Sequence, residues 1–432
     1  MSDVKLEDIV SLAKRRGFVF PSSEIYGGLA GVYDYGPLGV RLKHNLENIW
    51  WQRMVGDRDD IYPLDAAVLM NPKVWQASGH VAGFSDPLVE CSNCHSRLRA
   101  DHIENDKCPV CGKADTFGEP RQFNMMLKTS LGVIEDESSV GYLRPETAQG
   151  IFVNFKNIVD TFSPDMPFGI AQIGKAFRNE IAPRDFLFRQ REFEQMEMQF
   201  FIHPDIQEEQ YELWRKFAWG LLTKDLGLAE EDLRWHEHDK DERAHYAAAA
   251  HDIEFNFPFG FKELWGTHNR TDFDLKNHEK SSGKNMAYRP KDGSEPFIPN
   301  VIESSVGLDR MVLAVLTAAY SEDEQGGEKR VYLKFPFDVA PVKVAVCPLA
   351  KNKPELVAKA KEVYKMLKDE YGEVMWIDTG NIGKNYRRAD EIGVPYFVTI
   401  DFDTLEDNAV TLRNRDTTAQ ERVKIDELMS KL

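Results

Sequence analysis

Residues 168–202 read FGIAQIGKAFRNEIAPRDFLFRQREFEQMEMQFFI, and the alternation in this stretch decides the fold. It predicts two β-strands joined by a long polar loop over 181–189. A period of two puts Arg178 and Glu180 on one face of the first strand, with Phe177 and Asn179 on the other. On the second strand Arg191, Phe193 and Gln195 share a face, and Glu192, Glu194 and Met196 share the opposite one. Four arginines (Arg178, Arg184, Arg189, Arg191) thus fall within one hairpin of a chain whose net charge is −17. Arginine makes bidentate phosphate contacts and stacks on aromatic rings, so the pattern suits a phosphate and nucleobase clamp. The alternative is an exposed, salt-bridged hairpin, because charge runs usually mark solvated faces.

A second stretch favours the clamp. Residues 297–304 look like a strand, followed by Gly307-Leu308-Asp309-Arg310 and an apolar helix over 311–320. Arg310 then falls in the first helical turn, where the macrodipole disfavours a cation. An anion held at that N-terminus would offset the cost.

FRNE (177–180) followed by FRQREFEQME (188–197) resembles motif 2 of class II aminoacyl-tRNA synthetases, and ESSVGLDR (303–310) resembles motif 3. With RPETAQG (144–150), ELWG (263–266) and NRTDFDL (269–275), the chain resembles the glycyl-tRNA synthetases of the single-chain homodimeric type over nearly its whole length. The resemblance implies an α+β class II catalytic domain over 1–335, an antiparallel sheet flanked by helices. A zinc-knuckle insertion at 88–120 and a helical or loop insertion at 205–295 would interrupt it, and an α/β anticodon-binding domain would follow over 340–432. It implies ATP-dependent activation of glycine to the adenylate, then transfer to the 3′ end of tRNA(Gly), with Mg²⁺ accompanying ATP. A cytoplasmic homodimer is implied as well.

The same resemblance implies the site. Arg178, Glu180 and Arg310 would be catalytic, Arg178 on the α-phosphate and Arg310 on the γ-phosphate. The ATP set would be Arg178, Asn179, Glu180, Phe188, Arg189, Gln190, Arg191, Glu192, Phe193, Glu263, Leu264, Gly307, Leu308, Asp309 and Arg310. Phe193 would stack on adenine, and Glu180 would read its amino group. Glycine would meet Arg99, Glu146, Phe193, Glu194, Gln195, Met196, Glu197, Arg270, Glu303, Ser304, Ser305, Val306 and Gly307. Among these, Glu146, Glu194 and Glu303 with Ser305 would surround the ammonium, and Arg270 would anchor the carboxylate. Glu263 and Glu303 are the candidate Mg²⁺ ligands.

Composition sets bounds. At 432 residues, 42% hydrophobic and 29% charged, the chain is expected to fold as two or three soluble domains. It contains no apolar run of about 18 residues and no secretory signal pattern at its N-terminus. The acidic balance argues against non-specific nucleic-acid binding and leaves RNA contact to local basic patches.

Cys91, Cys94, Cys108 and Cys111 form two CxxC pairs around a polar spacer. That pattern suits a structural, tetrahedral Zn²⁺ with no open coordination position. Buried free thiols are the alternative. Cys347, alone in VAVCPL, reads as a core thiol.

Further elements follow from periodicity. A helix is expected over 5–16 and another over 40–54, with Leu42, Leu46, Ile49 and Trp50 as its apolar stripe. By resemblance the second helix and a strand over 61–68 build a dimer interface. Pro145, Glu146 and Thr147 suit the start of a helix over 151–159, where Glu146 would also serve the N-terminus. A helix over 207–226 buries Tyr211, Leu213, Trp214, Phe217 and Leu221. The His-rich segment 229–251 reads as a solvated helix, 276–296 as a loop, and 321–330 as a charged connection. Beyond 340, strand-like VKVAVCPL, VMWID and PYFVTI alternate with helix-like segments, including 418–432, as in a compact α/β domain. Lys384, Tyr386, Arg387 and Arg388 there offer cations and a ring to phosphates and unstacked bases; a solvated helix face is the alternative.

Three other functions compete. An accessory protein of the same fold would be expected to lose Arg178 and Arg310, and both are present. A synthetase for serine, threonine or proline would be expected to need a different pocket lining. A zinc-ribbon RNA-binding module would account for 91–111 only.

Overall fold

The alternation in 168–202 builds the middle of a seven-stranded sheet. Its strands are β1 (Ile61–Pro63), β2 (Phe168–Phe177), β3 (Glu192–Ile202), β4 (Leu233–Glu237), β5 (Ala249–Phe257), β6 (Gly260–Thr271) and β7 (Asn300–Gly307). They run in the order β4-β5-β6-β7-β3-β2-β1, antiparallel except for the β1–β2 pair. The computed structural model describes residues 4–103, 105–134, 139–239 and 248–432.

Each face of this sheet has its own helices. Met196, Met198 and Phe200 of β3, with Ile302 and Val306 of β7, enter the main core. Helices α1 (Leu6–Arg16), α2 (Pro37–Trp51), α4 (Gln207–Gly220) and α6 (Leu308–Ala319) contribute to that core. On the opposite face Phe168, Ile170, Phe201 and Val301 pack under α3 (Ala148–Phe162) and α5 (Phe273–Ser282). Further along that second face the strands change from apolar to polar: Gln195, Glu197 and Gln199 on β3 lie opposite Gly307, Ser305 and Glu303 on β7. No helix could bury those groups cheaply, and that stretch of sheet becomes the floor of the site.

Several expected elements differ. The 229–251 segment is not a helix in its described part: Leu233–Glu237 and Ala249–Phe257 pair as strands, with Trp235 opposite Ile253. His245 lies outside the described residues. The expected strand over 61–68 ends at Pro63, and Leu213 is 38% exposed rather than buried. Helix α5 occupies the first third of the expected loop 276–296, and Tyr320–Gln325 and Glu328–Leu333 form a hairpin rather than a connection. For 229–251 and 321–330 short-range charge suggested a solvated helix or connection, while pairing across strands decided the outcome.

The C-terminal unit has strands β8 (Val344–Pro348), β9 (Val374–Trp376), β10 (Tyr396–Ile400), β11 (Ala409–Asn414) and β12 (Gln420–Lys424), with helices α7 (Pro354–Tyr371) and α8 (Ile382–Glu391). Their order is β9-β8-β10-β11-β12, with β8 parallel to both neighbours and the last two pairings antiparallel. The mixed α/β unit is as expected, except that 418–432 supplies edge strand β12 instead of a helix. Val423 alone of that strand is buried, opposite Val410. Arg330, on the preceding hairpin, joins Asp323 to Asp390 of α8.

Candidate active site

The β2–β3 hairpin holds its arginines in different ways. The Arg178 guanidinium lies 5.2 Å from the Phe193 ring centre and 5.4 Å from that of Phe84, and its Nε donates to the Pro145 carbonyl at 3.1 Å. Such cation–ring contacts hold the side chain extended without consuming its remaining N–H donors. Arg189 pairs with buried Glu180 at 2.6 Å and lies 3.5 Å from Asp86, which also binds Arg99 at 2.7 Å. Arg191 is spent on the backbone carbonyls of Glu180 and Ala30, bracing the hairpin against the loop before α2.

The opposite wall comes from β6, β7 and α6. Arg310 lies 4.3 Å from the Phe188 ring centre and pairs with Glu263 at 3.0 Å. The anion expected beside this first-turn cation is therefore supplied by the protein. An irregularity in the β5–β6 register leaves Leu264 as an extra residue between Glu263 and Trp265. Bulges of this kind re-aim side chains, and Glu263 reaches Arg310 from there. Between these walls is a cavity of about 250 Å³, bounded by Arg178, Phe193, Glu263 and Arg310.

Beneath it lies a buried polar floor. Glu303 accepts from Arg270 at 2.7 Å, Gln199 at 2.9 Å and Ser305 at 3.3 Å, and lies 3.0 Å from His268 Nδ1. Burial alone would raise its pKa, but Arg270 and His268 hold it far below the usual carboxylate range. Glu146 is 3.4 Å from His80; against the effect of burial, His80 and Arg270 lower its pKa to about 2. Glu197 behaves oppositely. Burial, then the charges of Glu303 and Glu146, push it up to about 8, while Thr147 and Gln199 donate to it.

Arg270 does not offer itself to a substrate. It is 2% exposed and its guanidinium is committed to Asp274 and Glu303. It is the extra residue of a second irregularity, between β6 and β7.

Away from the pocket, the four cysteines converge within 4.8 Å of one another. The Cys91–Cys111 and Cys94–Cys108 sulfur separations are 3.8 and 3.7 Å, and the edge of a tetrahedron with ~2.3 Å metal–sulfur bonds is ~3.8 Å. The donor set therefore fits a four-coordinate thiolate-bound ion. Strand Ser85–Glu90 leads into this knuckle, and strand Arg97–Arg99 returns from it. Asp86 and Arg99 connect both to Arg189 at the pocket.

Comparison with known proteins agrees with this geometry. Residues 132–319 match the family described as the tRNA synthetase class II core domain (G, H, P, S and T), and residues 343–432 match the anticodon binding domain. Glycine–tRNA ligase of Clostridium acetobutylicum is 50% identical over 99% of this chain and 98% of its own. Those of Borreliella burgdorferi and Treponema denticola are each 51% identical over 99% of this chain and 96% of theirs. The chain belongs to the glycine–tRNA ligase family. Prolyl-tRNA synthetase of Giardia lamblia, solved with prolyl-adenylate, shares the fold with a TM-score of 0.72 at 15% identity, over 98% of this chain and 76% of that one. The chain is accordingly an aminoacyl-tRNA ligase, and no helix among the described residues is long and apolar enough to cross a membrane.

Within that family assignment the strand geometry sorts the expected residues. Runs named whole must put alternate residues on the far side of the sheet. Gln195, Glu197, Glu303 and Ser305 lie on the pocket face. Met196, Val306, Leu264 and Leu308 lie in the main core, and Ser304 is buried, accepting from Trp265 Nε1 at 2.9 Å. The Glu194 carboxylate pairs with Lys43 of α2, so it does not join the ammonium-facing groups, and Glu192 pairs with Lys175. Asp309 is buried and accepts from Tyr35 and from the Glu194 N–H. The Asn179 N–H is fixed on the Met125 carbonyl, and Gln190 Nε2 on that of Leu187. His80, Asp86, Gln199 and His268 were not anticipated. Gln199 was legible as the next pocket-face residue after Glu197; the other three reach the site only through tertiary packing.

Proposed function

We propose that the cavity between Arg178 and Arg310 activates glycine with ATP, and that the same chain then transfers glycine to the 3′ end of tRNA(Gly). The carrying observation is that two arginines face one cavity across aromatic rings, over a floor whose ionised carboxylates suit an ammonium. Adenine stacks on Phe193, Glu180 reads its amino group, Arg178 holds the α-phosphate and Arg310 the γ-phosphate. The glycine carboxylate oxygen attacks the α-phosphorus as the bond to pyrophosphate breaks. Two anions must meet there, and prepaid positioning with opposed positive charge is what lowers that barrier. The 3′-terminal hydroxyl then attacks the adenylate carbonyl and AMP leaves, its phosphate taking the hydroxyl proton.

Glycine is selected by its ammonium and by exclusion. Glu146, Glu303 and Ser305 hold the ammonium, and Arg270 serves by fixing Glu303 rather than by binding the substrate carboxylate. An added methyl is worth only about 1–3 kcal/mol in an apolar pocket, so the crowded, ion-paired floor does the excluding. Glu263, once Arg310 turns from it to the phosphate, would hold the Mg²⁺ that comes with ATP, which would supply positive charge to the phosphates; Glu303 serves the ammonium instead. Cys91, Cys94, Cys108 and Cys111 would hold Zn²⁺ in a structural role.

Residues 1–335 form the catalytic domain and 340–432 the anticodon-binding domain. Lys384, Arg387 and Arg388 on α8 meet RNA, whereas Tyr386 packs on Phe397 and under Arg413. The chain acts as a homodimer through the α2 region. The neighbouring loop exposes Ile25, Tyr26 and Leu29, an apolar group suited to burial against a second copy.

The test is amino-acid-dependent ATP–pyrophosphate exchange without tRNA, run with glycine, alanine, serine, threonine and proline. Exchange with glycine alone is expected. Exchange with another of the five, or with none from zinc-loaded protein, would overturn the proposal.

A further inference from the structure

A line of polar groups continues behind Glu303, away from the cavity, and no step of the proposed reaction uses it. His268 on β6 lies directly opposite Glu303 on β7. Its Nδ1 is 3.0 Å from Glu303 Oε1, and its Nε2 is 3.5 Å from Asp252 Oδ1 on β5. Asp252, 5% exposed, lies 2.7 Å from His238 Nε2 through its other oxygen. The backbone makes room for this arrangement: a Cβ on Gly266 would stand 3.1 Å from His268 Cε1 and 3.2 Å from its Nε2.

The division of labour around Glu303 is uneven. Arg270 and Gln199 both hold Oε2, whereas Oε1 is met by His268 and by the hydroxyl of Ser305 at 3.3 Å. Without the imidazole the carboxylate can pivot about Oε2. For a substrate whose only distinguishing handle is its ammonium, that pivot moves the site itself. Both ring nitrogens face carboxylates, Nδ1 at hydrogen-bond range and Nε2 at ion-pair range only, an arrangement that favours the charged imidazolium. Burial works against that charge, but Asp252 and Glu303 outweigh it and the His268 pKa is about 10. Besides those two, the charged groups bordering the ring and its partner are Arg270, Glu146, Glu197 and His238.

We propose that His268, backed by Asp252, is a positioning residue that fixes the orientation of Glu303 and thereby the ammonium site of the amino-acid substrate. The inference rests on the reading that Glu303 meets the substrate ammonium.

The test separates the two nitrogens. Asparagine places its amide nitrogen near the position of Nδ1, glutamine near that of Nε2. In ATP–pyrophosphate exchange, His268→Asn is expected to raise KM for glycine less than about threefold, and His268→Gln and His268→Ala at least about tenfold, with KM for ATP within about twofold throughout. A role in packing alone would favour glutamine, the closer match in size. Equal effects of asparagine and glutamine, or a parallel rise in KM for ATP, would overturn the inference. Gly266→Ala displaces the ring without removing it and is expected to raise KM for glycine alone. Asp252→Asn keeps the packing but removes the anion, so between pH 7 and 9 KM for glycine should rise relative to that of the parent protein, in which Glu197 alone of the floor titrates; a variant profile parallel to the parent's would count against the inference. Glu303→Gln is the control for the underlying reading. If it leaves KM for glycine unchanged, that reading fails; if it raises KM while His268→Gln does not, the inference fails alone.

Discussion

Arg310 and Glu263 form a 3.0 Å ion pair across the mouth of the cavity, from the first turn of α6 to the bulge in β6. The pair settles a cation that the helix dipole disfavours, and it uses the two groups that the proposed reaction assigns to the γ-phosphate and to Mg²⁺. Substrate entry must therefore exchange one ion pair for two new ones. Glu263→Gln should loosen Arg310 and remove the metal ligand together. The expected outcome is a rise of about tenfold in the Mg²⁺ concentration giving half-maximal pyrophosphate exchange, with KM for glycine unchanged. An unchanged Mg²⁺ dependence would remove Glu263 from the metal site.

Arg178 is held by rings and one carbonyl, so its loss leaves no buried charge unpaired. Arg178→Ala should leave the fold intact and lower kcat/KM for exchange by a factor on the order of 10²–10³, as for removal of one donor aimed at developing charge. Arg178→Lys should recover little, because an ammonium neither bridges two oxygens nor stacks between Phe84 and Phe193 as a guanidinium does. Thermal denaturation with the two exchange assays checks both statements.

Much of this was legible in the sequence, and for a physical reason. Strand alternation in 168–202 placed Phe193 and Gln195, whereas Arg178 and Glu180, expected on one face of the first strand, lie past its end at Phe177; local spacing placed the cysteines and the α6 cation. What could not be read was whatever depends on residues far apart in the chain. Asp86 joins Arg99 to Arg189, His80 meets Glu146, and Lys43 claims Glu194. The His-rich segment misled for a related reason: β4 is an edge strand, one neighbour wide, and carries enough charge to look solvated. Bulges at Leu264 and Arg270 are equally invisible to a strict period of two.

The knuckle reaches the pocket through Asp86, which holds Arg99 and Arg189 together. Metal removal should therefore have a catalytic readout although the ion is structural. Chelation is expected to release about one equivalent of zinc per chain and to melt the knuckle, since such binding energy is largely folding energy. Exchange should fall as Arg189 loses its brace. Asp86→Asn, with zinc retained, should reproduce part of that fall. Full exchange activity in the metal-free protein would show that the knuckle does not brace the pocket.

The floor should also write its charge into the stability curve. Glu197 is raised from 4.5 to about 8, chiefly by burial and then by its carboxylate neighbours. The native state keeps a proton that the unfolded chain releases across that interval. Stability is thus full below pH 4.5 and is lost as pH climbs towards 8, by up to ~1.4 kcal/mol per unit. His268, raised from 6.5 to about 10 by Asp252 and Glu303 against the effect of burial, adds a loss of the same sign at higher pH. Glu146 acts oppositely: lowered from 4.5 to about 2, it contributes stability above pH 4.5 that is lost on acidification. These three groups together place the maximum near ~pH 5. Urea denaturation of the parent protein should show a midpoint that falls steadily from pH 5 to 8. Glu197→Gln should be flat from pH 5 to 6.5 and fall only above that, where His268 takes over. A variant curve parallel to that of the parent would mean that Glu197 ionises at its ordinary pKa and that the floor carries three negative charges rather than two.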